Sequence, residues 1–254
     1  MAEIKMMVTD LDGTLLKDDK SISEATESVI AKLHEKNIIF VIATARPIRS
    51  VKKFLPFVNY DAGVFHNGAV VINQNVLLDG FGIKNPVDIT TAILNDKPDS
   101  KISIEANDVM YSNWNAEELW PGVDYIRTDD FREAENLIAD KVLVEAYSVE
   151  EMNALQTYIS DGLYLQLSEN LVAMIMNRRA TKTNGIKMLA QKYGISMEQI
   201  VAFGDDYNDI DMLESCGIGV AVDNALDEVK GVADYICGSN EQDGVAGWLA
   251  ENVL

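Results

Sequence analysis

The stretch MMVTDLDGTLL, residues 6–16, runs from an apolar segment directly into two aspartates and a glycine. Residues 4–9 are predicted to form a strand that is buried on both faces, and Gly13 then interrupts the pattern. Two carboxylates at the end of a strand, Asp10 and Asp12, repel each other and lose solvation unless a cation joins them. The stretch therefore indicates either a solvated turn, in which Asp and Gly are common, or a site that holds a cation.

Composition limits the class of protein. The chain has 254 residues, of which 48% are hydrophobic, so it is long enough for one or two domains with a sizeable core. Only two cysteines occur, Cys216 and Cys237, which argues against a disulfide scaffold and for a reducing compartment. We expect a cytoplasmic protein, because no apolar run has the length of a membrane span and the first residues lack a signal-peptide pattern.

The net charge of −20 restricts the partners. Nucleic acids are held by clustered Lys and Arg side chains, so we expect no nucleic-acid partner, and no membrane partner either. A small anionic ligand would need a local cation that acts against the unfavourable field of the whole chain. The oligomeric state cannot be predicted from the sequence.

Strand and helix patterns alternate near both ends of the chain. After the strand at 4–9, a helix with Ser21 or Ser23 as its N-cap and a strand over residues 38–43 are predicted. The same alternation returns over the last seventy residues. It predicts an α/β fold, a Rossmann-like, doubly wound parallel sheet with helices on both faces.

The middle of the chain has a different pattern. Between residues 84 and 180, helical segments are mixed with paired strands, which predicts an α+β unit inserted into the α/β one. The expected domains are therefore a core made of residues 1–83 and 181–254, and an inserted cap at 84–180.

Polar side chains follow three predicted strands. Asp10 and Asp12 follow the first strand, Thr44 follows the second, and GDDYND, residues 204–209, follows the strand at 200–203. Ligands of an open parallel sheet bind outside the carboxyl ends of its strands, so these groups are expected in one crevice. Each pair of like charges 4 Å apart costs roughly 4 kcal/mol at an effective dielectric constant of 20. A hard divalent cation offsets that cost, and oxygen ligands favour Mg²⁺.

A calcium-binding helix–loop–helix hand is the competing metal site, and its spacing does not fit. Gly13 falls two positions too early, and Ser21 and Cys216 occupy the positions at which the two loops would need a closing Glu.

Four segments in order carry a family resemblance: DLDGT, ATARP, Lys182 within RATKTNGIKML, and GDDYNDIDML. Together they resemble the four motifs of the haloacid-dehalogenase superfamily, and the chain resembles its Cof-type sugar-phosphatase branch in particular. The resemblance extends over nearly the full length, because HNGA at 66–69, the large insert and the C-terminal DNALDEVKGVADYIC and DGVAGWL segments also match.

The resemblance implies a Mg²⁺-dependent phosphatase that acts through an aspartyl phosphate. By position, Asp10 would be the nucleophile and a metal ligand. Asp12 would be the general acid and base, and would also bind the metal through its backbone carbonyl. Asp205 would complete the metal ligands, and Asp209 would orient the waters of the metal.

The same resemblance implies a phosphate-binding set. Lys182 would supply positive charge to the transferred phosphoryl group, and would be the local cation that the net charge requires. Thr44, the amides of Leu11 and Ala45, and Asn208 would contact the phosphate oxygens. Three arginines beside the motifs are expected at the surface rather than on the substrate: Arg46, Arg178 and Arg179.

The implied substrates are phosphate monoesters of small metabolites, with sugar phosphates the leading class. Two alternatives remain at this stage. One is a phosphomutase or phosphotransferase built on the same motifs, and the other is a non-catalytic binder of phosphorylated ligands.

Overall fold

The computed structural model describes residues 3–54, 59–74, 76–168 and 170–254. The chain forms two compact units, one made of Met1–Gly80 with Thr181–Leu254 and the other of Phe81–Ala180. Each unit has a hydrophobic core of its own.

The first unit is built on a sheet whose strands come from both ends of the chain. Its strands, numbered in chain order, are β1 (Met6–Thr9), β2 (Ile39–Ala43), β3 (Ala62–Phe65), β4 (Val70–Asn73), β5 (Val76–Asp79), β12 (Ile200–Gly204), β13 (Ile218–Ala221) and β14 (Tyr235–Ile236).

The order of the strands in this sheet is β14-β13-β12-β1-β2-β3-β4-β5. The strands from β14 to β3 run parallel, and β4 and β5 extend the sheet as antiparallel strands. Residues His66–Gly68 form the turn that joins the antiparallel pair β3 and β4. β1 is buried along its whole length, as its apolar sequence predicts.

The helices of this unit are α1 (Glu24–Glu35), α2 (Ile48–Phe54), α5 (Lys182–Tyr193), α6 (Ile210–Ser215), α7 (Asp227–Val232) and α8 (Gly244–Asn252). Ser23 is the N-cap of α1, and its hydroxyl accepts a hydrogen bond from the Thr26 amide. α1 packs beside α8, and α5 packs against α6 and against β3 and β4.

Helix α5 begins at Lys182, and the hydroxyl of its N-cap Thr181 accepts a hydrogen bond from the Asn184 amide at 3.1 Å. It ends at Gly194, which has a left-handed backbone as a helix terminus of this kind requires. Gly185, within this helix, lies directly against β3: a Cβ there would lie 2.5 Å from Cγ1 of Val64. The close packing of α5 on the sheet sets the position of Lys182, the first residue of this helix, relative to the strand ends.

The second unit is an α+β unit. Its strands are β6 (Ile102–Ala106), β7 (Val109–Ser112), β8 (Tyr125–Arg127), β9 (Lys141–Glu145), β10 (Leu163–Ser168) and β11 (Val172–Asn177), and its helices are α3 (Pro86–Asp96) and α4 (Val149–Asn153). The sheet order is β10-β11-β9-β6-β7-β8, with antiparallel pairing except between β7 and β8. Tyr111 and Trp114 are buried, the first within the core of this unit.

No helix among the described residues combines the length and the apolar character that crossing a membrane requires. The predicted fold class, an α/β parallel-sheet core with an inserted α+β unit, is confirmed.

The close contact of α5 with β3 gives a stability prediction. Gly185→Ala should lower the free energy of unfolding by about 1–3 kcal/mol, because the added methyl group must displace the stiff Val64 side chain. Gly247→Ala is the matched control, since a Cβ at that position in α8 meets nothing within 4 Å. The control should be as stable as the parent or more stable by up to about 1 kcal/mol. Urea unfolding of both variants measures the difference, and equal stability of the two would contradict the packing argument.

Candidate active site

The ends of β1, β2 and β12 bring the predicted residues together. β1 lies between β12 and β2 in the sheet. The Asp10 amide donates to the Phe203 carbonyl at 3.0 Å, and the Thr44 amide donates to the Val64 carbonyl at 2.8 Å. Each bond extends a strand pairing by one residue beyond the last residue of the strand. The side chains at these positions therefore stand at the carboxyl edge of the sheet, as expected for a ligand site of this fold.

Three carboxylates form a cluster at this edge. One carboxylate oxygen from each of Asp10, Asp205 and Asp209 lies within 4.8 Å of the others. Asp10 and Asp209 are buried, and Asp205 is partly exposed. This all-oxygen donor set of acidic side chains fits a hard cation such as Mg²⁺.

Lys182 bridges two members of the cluster. Its Nζ donates to Oδ1 of Asp10 at 2.6 Å and to Oδ1 of Asp209 at 2.7 Å. The side chain of Lys182 is 1% exposed, so this ammonium group and its two partners lie almost entirely out of water. A buried charge is tolerated only when it is paired in this way. Lys182 is thus the local cation that the acidic sequence requires.

Asp209 is held by more than the lysine. Its Oδ2 accepts hydrogen bonds from the amides of Asp205 at 3.1 Å and Asp206 at 3.2 Å. Both oxygens of Asp209 therefore already accept hydrogen bonds within the protein. The contacts fix the backbone from which the Asp205 side chain projects, so Asp209 orients the cluster.

Burial changes the protonation of these groups. It raises the pKa of Asp10 to about 8 against the opposing charge of Lys182, and the neighbouring Asp209 and Asp205 carboxylates add to the rise. It raises the pKa of Asp205 to about 6 despite the hydrogen bond from Thr14. Burial would lower the pKa of Lys182, but the charges of Asp10 and Asp209 outweigh it and raise that pKa above its ordinary value. With all three carboxyl groups ionised, the cluster would carry more negative charge than one lysine can compensate.

The turn after Asp10 shapes the space around Asp205. Gly13 has a φ of +79°, and a Cβ at this position would lie 2.4 Å from Oδ2 of Asp205. The hydroxyl of Thr14 donates to Oδ1 of Asp205 at 2.6 Å. Glycine is thus required in DLDGT both by the backbone conformation and by the approach of the Asp205 carboxylate.

Asp12 lies in a different environment from Asp10. Arg46 donates to it through two nitrogens, Nε to Oδ2 and Nη2 to Oδ1, the second at 2.7 Å. Lys20 Nζ lies 2.8 Å from Oδ1 of the same carboxylate. Burial would raise the pKa of Asp12, but the hydrogen bonds and charges of Arg46 and Lys20 outweigh it and hold that pKa below its ordinary value. The two aspartates of the motif are thus held by separate cations.

The predicted phosphate-binding residues also lie at this edge. Thr44 is buried, and its hydroxyl accepts from the Arg46 amide at 3.2 Å. Leu11 is buried between the two aspartates in sequence, and Ala45 is partly exposed. Asn208 donates through Nδ2 to Oδ1 of Asn67 at 3.1 Å, which ties it to the turn between β3 and β4.

Arg46, which is expected at the surface, is partly exposed, and its guanidinium pairs with Asp12, a contact that the sequence does not indicate. Its position next to Thr44 and Ala45 was the available signal, but the partner is 34 residues away in sequence and only the pairing of β1 with β2 brings it near. Arg178 and Arg179 lie in the second unit, where Arg178 donates to the Asp161 carbonyl and Arg179 stacks on the Phe81 ring. The sequence also does not predict that Lys20, Thr14 and Asn67 contact residues of the site, because no local pattern distinguishes them from ordinary turn residues.

Known proteins resemble the chain over nearly its whole length. A family model described as haloacid dehalogenase-like hydrolase matches residues 7–249. The 5-amino-6-(5-phospho-D-ribitylamino)uracil phosphatase YitU of Bacillus subtilis (strain 168) is 30% identical, over 97% of this chain and 96% of its own.

Solved structures agree with these matches. TM0651 from Thermotoga maritima superposes with a TM-score of 0.86 at 26% identity, covering 98% of this chain and 97% of that one. BT1666 from Bacteroides thetaiotaomicron, studied among phosphatases of the same superfamily, gives a TM-score of 0.84 at 25% identity, with 99% and 96% coverage. The chain belongs to the haloacid dehalogenase-like hydrolases, in the Cof-type branch, and is an enzyme that hydrolyses phosphoric monoesters.

Proposed function

We propose that this phosphatase acts on phosphate monoesters of small metabolites, with sugar phosphates as the leading class, through an aspartyl phosphate on Asp10. The observation that carries the proposal is the contact of Asp10 with Lys182 inside the three-carboxylate cluster. It supports Asp10 as the nucleophile, because the Asp10 carboxylate lies beside a buried cation at the edge of the sheet where ligands of this fold bind. The relative YitU is named for a substrate with a phosphorylated ribityl chain, which is a sugar-alcohol phosphate and supports this class.

Mg²⁺ is the proposed cofactor. Asp10 and Asp205 would hold it through side-chain oxygens and Asp12 through its backbone carbonyl, with Asp209 orienting its waters. When bound, the ion supplies the positive charge that allows a phosphate dianion to enter a cluster of carboxylates.

Asp10 and Asp12 divide the chemistry between them. In the first step an oxygen of Asp10 attacks phosphorus, the bond from phosphorus to the ester oxygen breaks, and Asp12 donates a proton to that leaving oxygen. In the second step Asp12 takes a proton from water, the water oxygen attacks phosphorus, and the Asp10 carboxylate is released. The Asp12 carboxylate lies at the partly exposed side of the site, where it can reach the leaving oxygen or a water molecule. Its bidentate contact with Arg46 favours the ionised form, so Asp12 must take up a proton and loosen this contact before it can act as the acid.

The remaining residues hold the phosphoryl group. Lys182 would supply positive charge to the transfer, because its Nζ donates to Oδ1 of the Asp10 carboxylate, where negative charge is redistributed. Thr44, Asn208 and the amides of Leu11 and Ala45 would donate hydrogen bonds to the phosphate oxygens. We further propose that the inserted segment 84–180 selects the organic part of the substrate, while residues 1–83 and 181–254 carry out the chemistry.

Two alternatives make different predictions for the acceptor. A phosphomutase or phosphotransferase on the same motifs would keep the phosphoryl group until an organic hydroxyl arrives, so inorganic phosphate would not accumulate without an acceptor. A non-catalytic binder would release no phosphate from any ester. Membership of a hydrolase family favours hydrolysis over both.

The first functional prediction concerns the metal. Removal of divalent ions with a chelator should abolish phosphate release from p-nitrophenyl phosphate, and addition of Mg²⁺ should restore it, because the carboxylate cluster cannot otherwise admit a phosphate dianion. A mock-treated sample carried through the same buffer exchange is the control. Undiminished turnover in metal-free buffer would rule out the proposed mechanism.

The second functional prediction separates the two aspartates of the motif. Asp12→Asn should slow the release of a sugar alkoxide by about 10²–10⁴-fold, because that leaving group needs a proton. With p-nitrophenyl phosphate the first step needs little protonation, so this variant should release one equivalent of nitrophenol in a burst and then stall as the phosphoenzyme. Asp10→Asn should show no burst, since it lacks the nucleophile.

Stopped-flow measurement of nitrophenol under excess substrate distinguishes the two variants. The parent enzyme in the same mixing experiment sets the amplitude of a full turnover. A burst from Asp10→Asn with none from Asp12→Asn would show that the two roles are reversed.

A further inference from the structure

The turn between β3 and β4 has an unusual backbone. His66, Asn67 and Gly68 have φ values of 48°, 54° and 106°, so three consecutive residues lie in the left-handed region. Only glycine, and to a lesser extent Asn, adopts this region readily. All three residues are buried. Backbone that is held in such a conformation is found preferentially at functional sites, because the surrounding contacts must enforce it.

The contacts of this turn lead to the predicted phosphate site from two directions. The Asn67 amide donates to the Thr44 carbonyl at 3.0 Å. The side-chain carbonyl of Asn67 accepts from Nδ2 of Asn208 at 3.1 Å. One buried residue therefore contacts the segment after β2 and the segment after β12, each of which supplies a residue assigned to the phosphate.

The neighbours of Asn67 make further contacts of the same kind. The His66 amide donates to the Arg46 carbonyl at 3.2 Å. Gly68 packs against the backbone of Thr181, the N-cap of the helix that begins with Lys182. The turn thus lies against three chain segments that enter the site.

A tight hairpin alone does not require the Asn67 side chain. The β3–β4 connection needs residues that tolerate a left-handed backbone, a need that glycine also meets. The bond to Asn208 joins residues 141 positions apart and takes no part in the pairing of β3 with β4. This hydrogen bond therefore affects the orientation of the Asn208 side chain rather than the hairpin.

We propose that Asn67 is a positioning residue for phosphate binding, acting through Asn208 and Thr44; this rests on the proposed function of those two residues. A side-chain amide can be turned in two ways that exchange its oxygen and its nitrogen. In the structure Asn67 presents its carbonyl oxygen, and Asn208 turns its NH₂ group toward it. One N–H of Asn208 is used in this contact, and the second stays available for a phosphate oxygen.

The test is a double-mutant cycle on the full-length protein with Mg²⁺ present. The variants are Asn67→Gly, Asn208→Ala and the two combined. Asn67→Gly removes the side-chain carbonyl and keeps a residue that adopts φ near 54° without strain. Asn67→Ser is a second variant, whose hydroxyl is too short to replace the amide contact. Affinity for inorganic phosphate is measured by calorimetry, KM and kcat are measured with p-nitrophenyl phosphate, and thermal melting monitors the fold.

We expect Asn67→Gly and Asn67→Ser to weaken phosphate binding by about three- to tenfold, the range of one hydrogen bond. KM should rise by a similar factor, with a smaller change in kcat and little change in melting temperature. In the Asn208→Ala background, Asn67→Gly should have almost no further effect, because its target is gone.

Two results would overturn the inference while the proposed function stands. One is unchanged phosphate affinity in both Asn67 variants, and the other is a double variant whose loss is the full product of the two single losses. A parent protein that neither binds phosphate nor releases it would instead refute the proposed function, and the positioning role with it.

Discussion

The contact of one buried ammonium group with two buried carboxylates is the constraint on which the rest of the structure depends. Lys182 contacts Asp10 and Asp209 at hydrogen-bond distance, and all three residues are almost fully buried. Removal of one partner from such a group leaves an uncompensated charge in a medium that solvates it poorly. Three separate parts of the sequence must therefore meet with correct geometry: the end of β1, the start of α5 and the turn after β12. The parallel sheet and the close packing of α5 on β3 provide that geometry.

The position of Lys182 contradicts its local preference. A cation in the first turn of a helix faces the positive end of the helix dipole, which is unfavourable. Asp10 and Asp209 compensate for this, and the conflict between local and global preference is typical of a functional site. Three ionised carboxylates would in turn exceed the charge of one lysine, and burial and mutual repulsion accordingly raise the pKa of Asp10 and of Asp205. A site with this excess of carboxyl groups favours the binding of a second cation. A negatively charged substrate can then bind only when that cation is present.

The sequence predicted the frame of the site better than its fine contacts. Asp10, Thr44 and Asp205 each follow a short apolar strand. Because the carboxyl ends of parallel strands lie at the same edge of a sheet, their positions in the sequence were enough to predict that they lie together. Lys182 could be predicted only from the family resemblance, because nothing in the sequence of the helix that begins there indicates that it contacts Asp10. Arg46 was assigned to the surface, since its pairing with Asp12 depends on side-chain directions between neighbouring strands. No sequence pattern indicates the role of Asn67, because its bond to Asn208 spans 141 positions. Hydrophobic periodicity along the sequence predicts helices and strands. Contacts between residues that are far apart in the sequence can be seen only in the folded structure.

The central claim, that the charge of Lys182 stabilises both the fold and the reacting group, is tested most directly by the stability of Lys182→Met with and without Asp10→Asn. In urea unfolding at neutral pH without metal, Lys182→Met should lose about 3–5 kcal/mol of unfolding free energy, because Asp10 and Asp209 stay buried without the cation that compensates them. Adding Asp10→Asn should recover part of that loss, since it removes one unpaired charge, whereas neither protein should release phosphate. A Lys182→Met variant as stable as the parent, or one that Asp10→Asn destabilises further, would contradict this account.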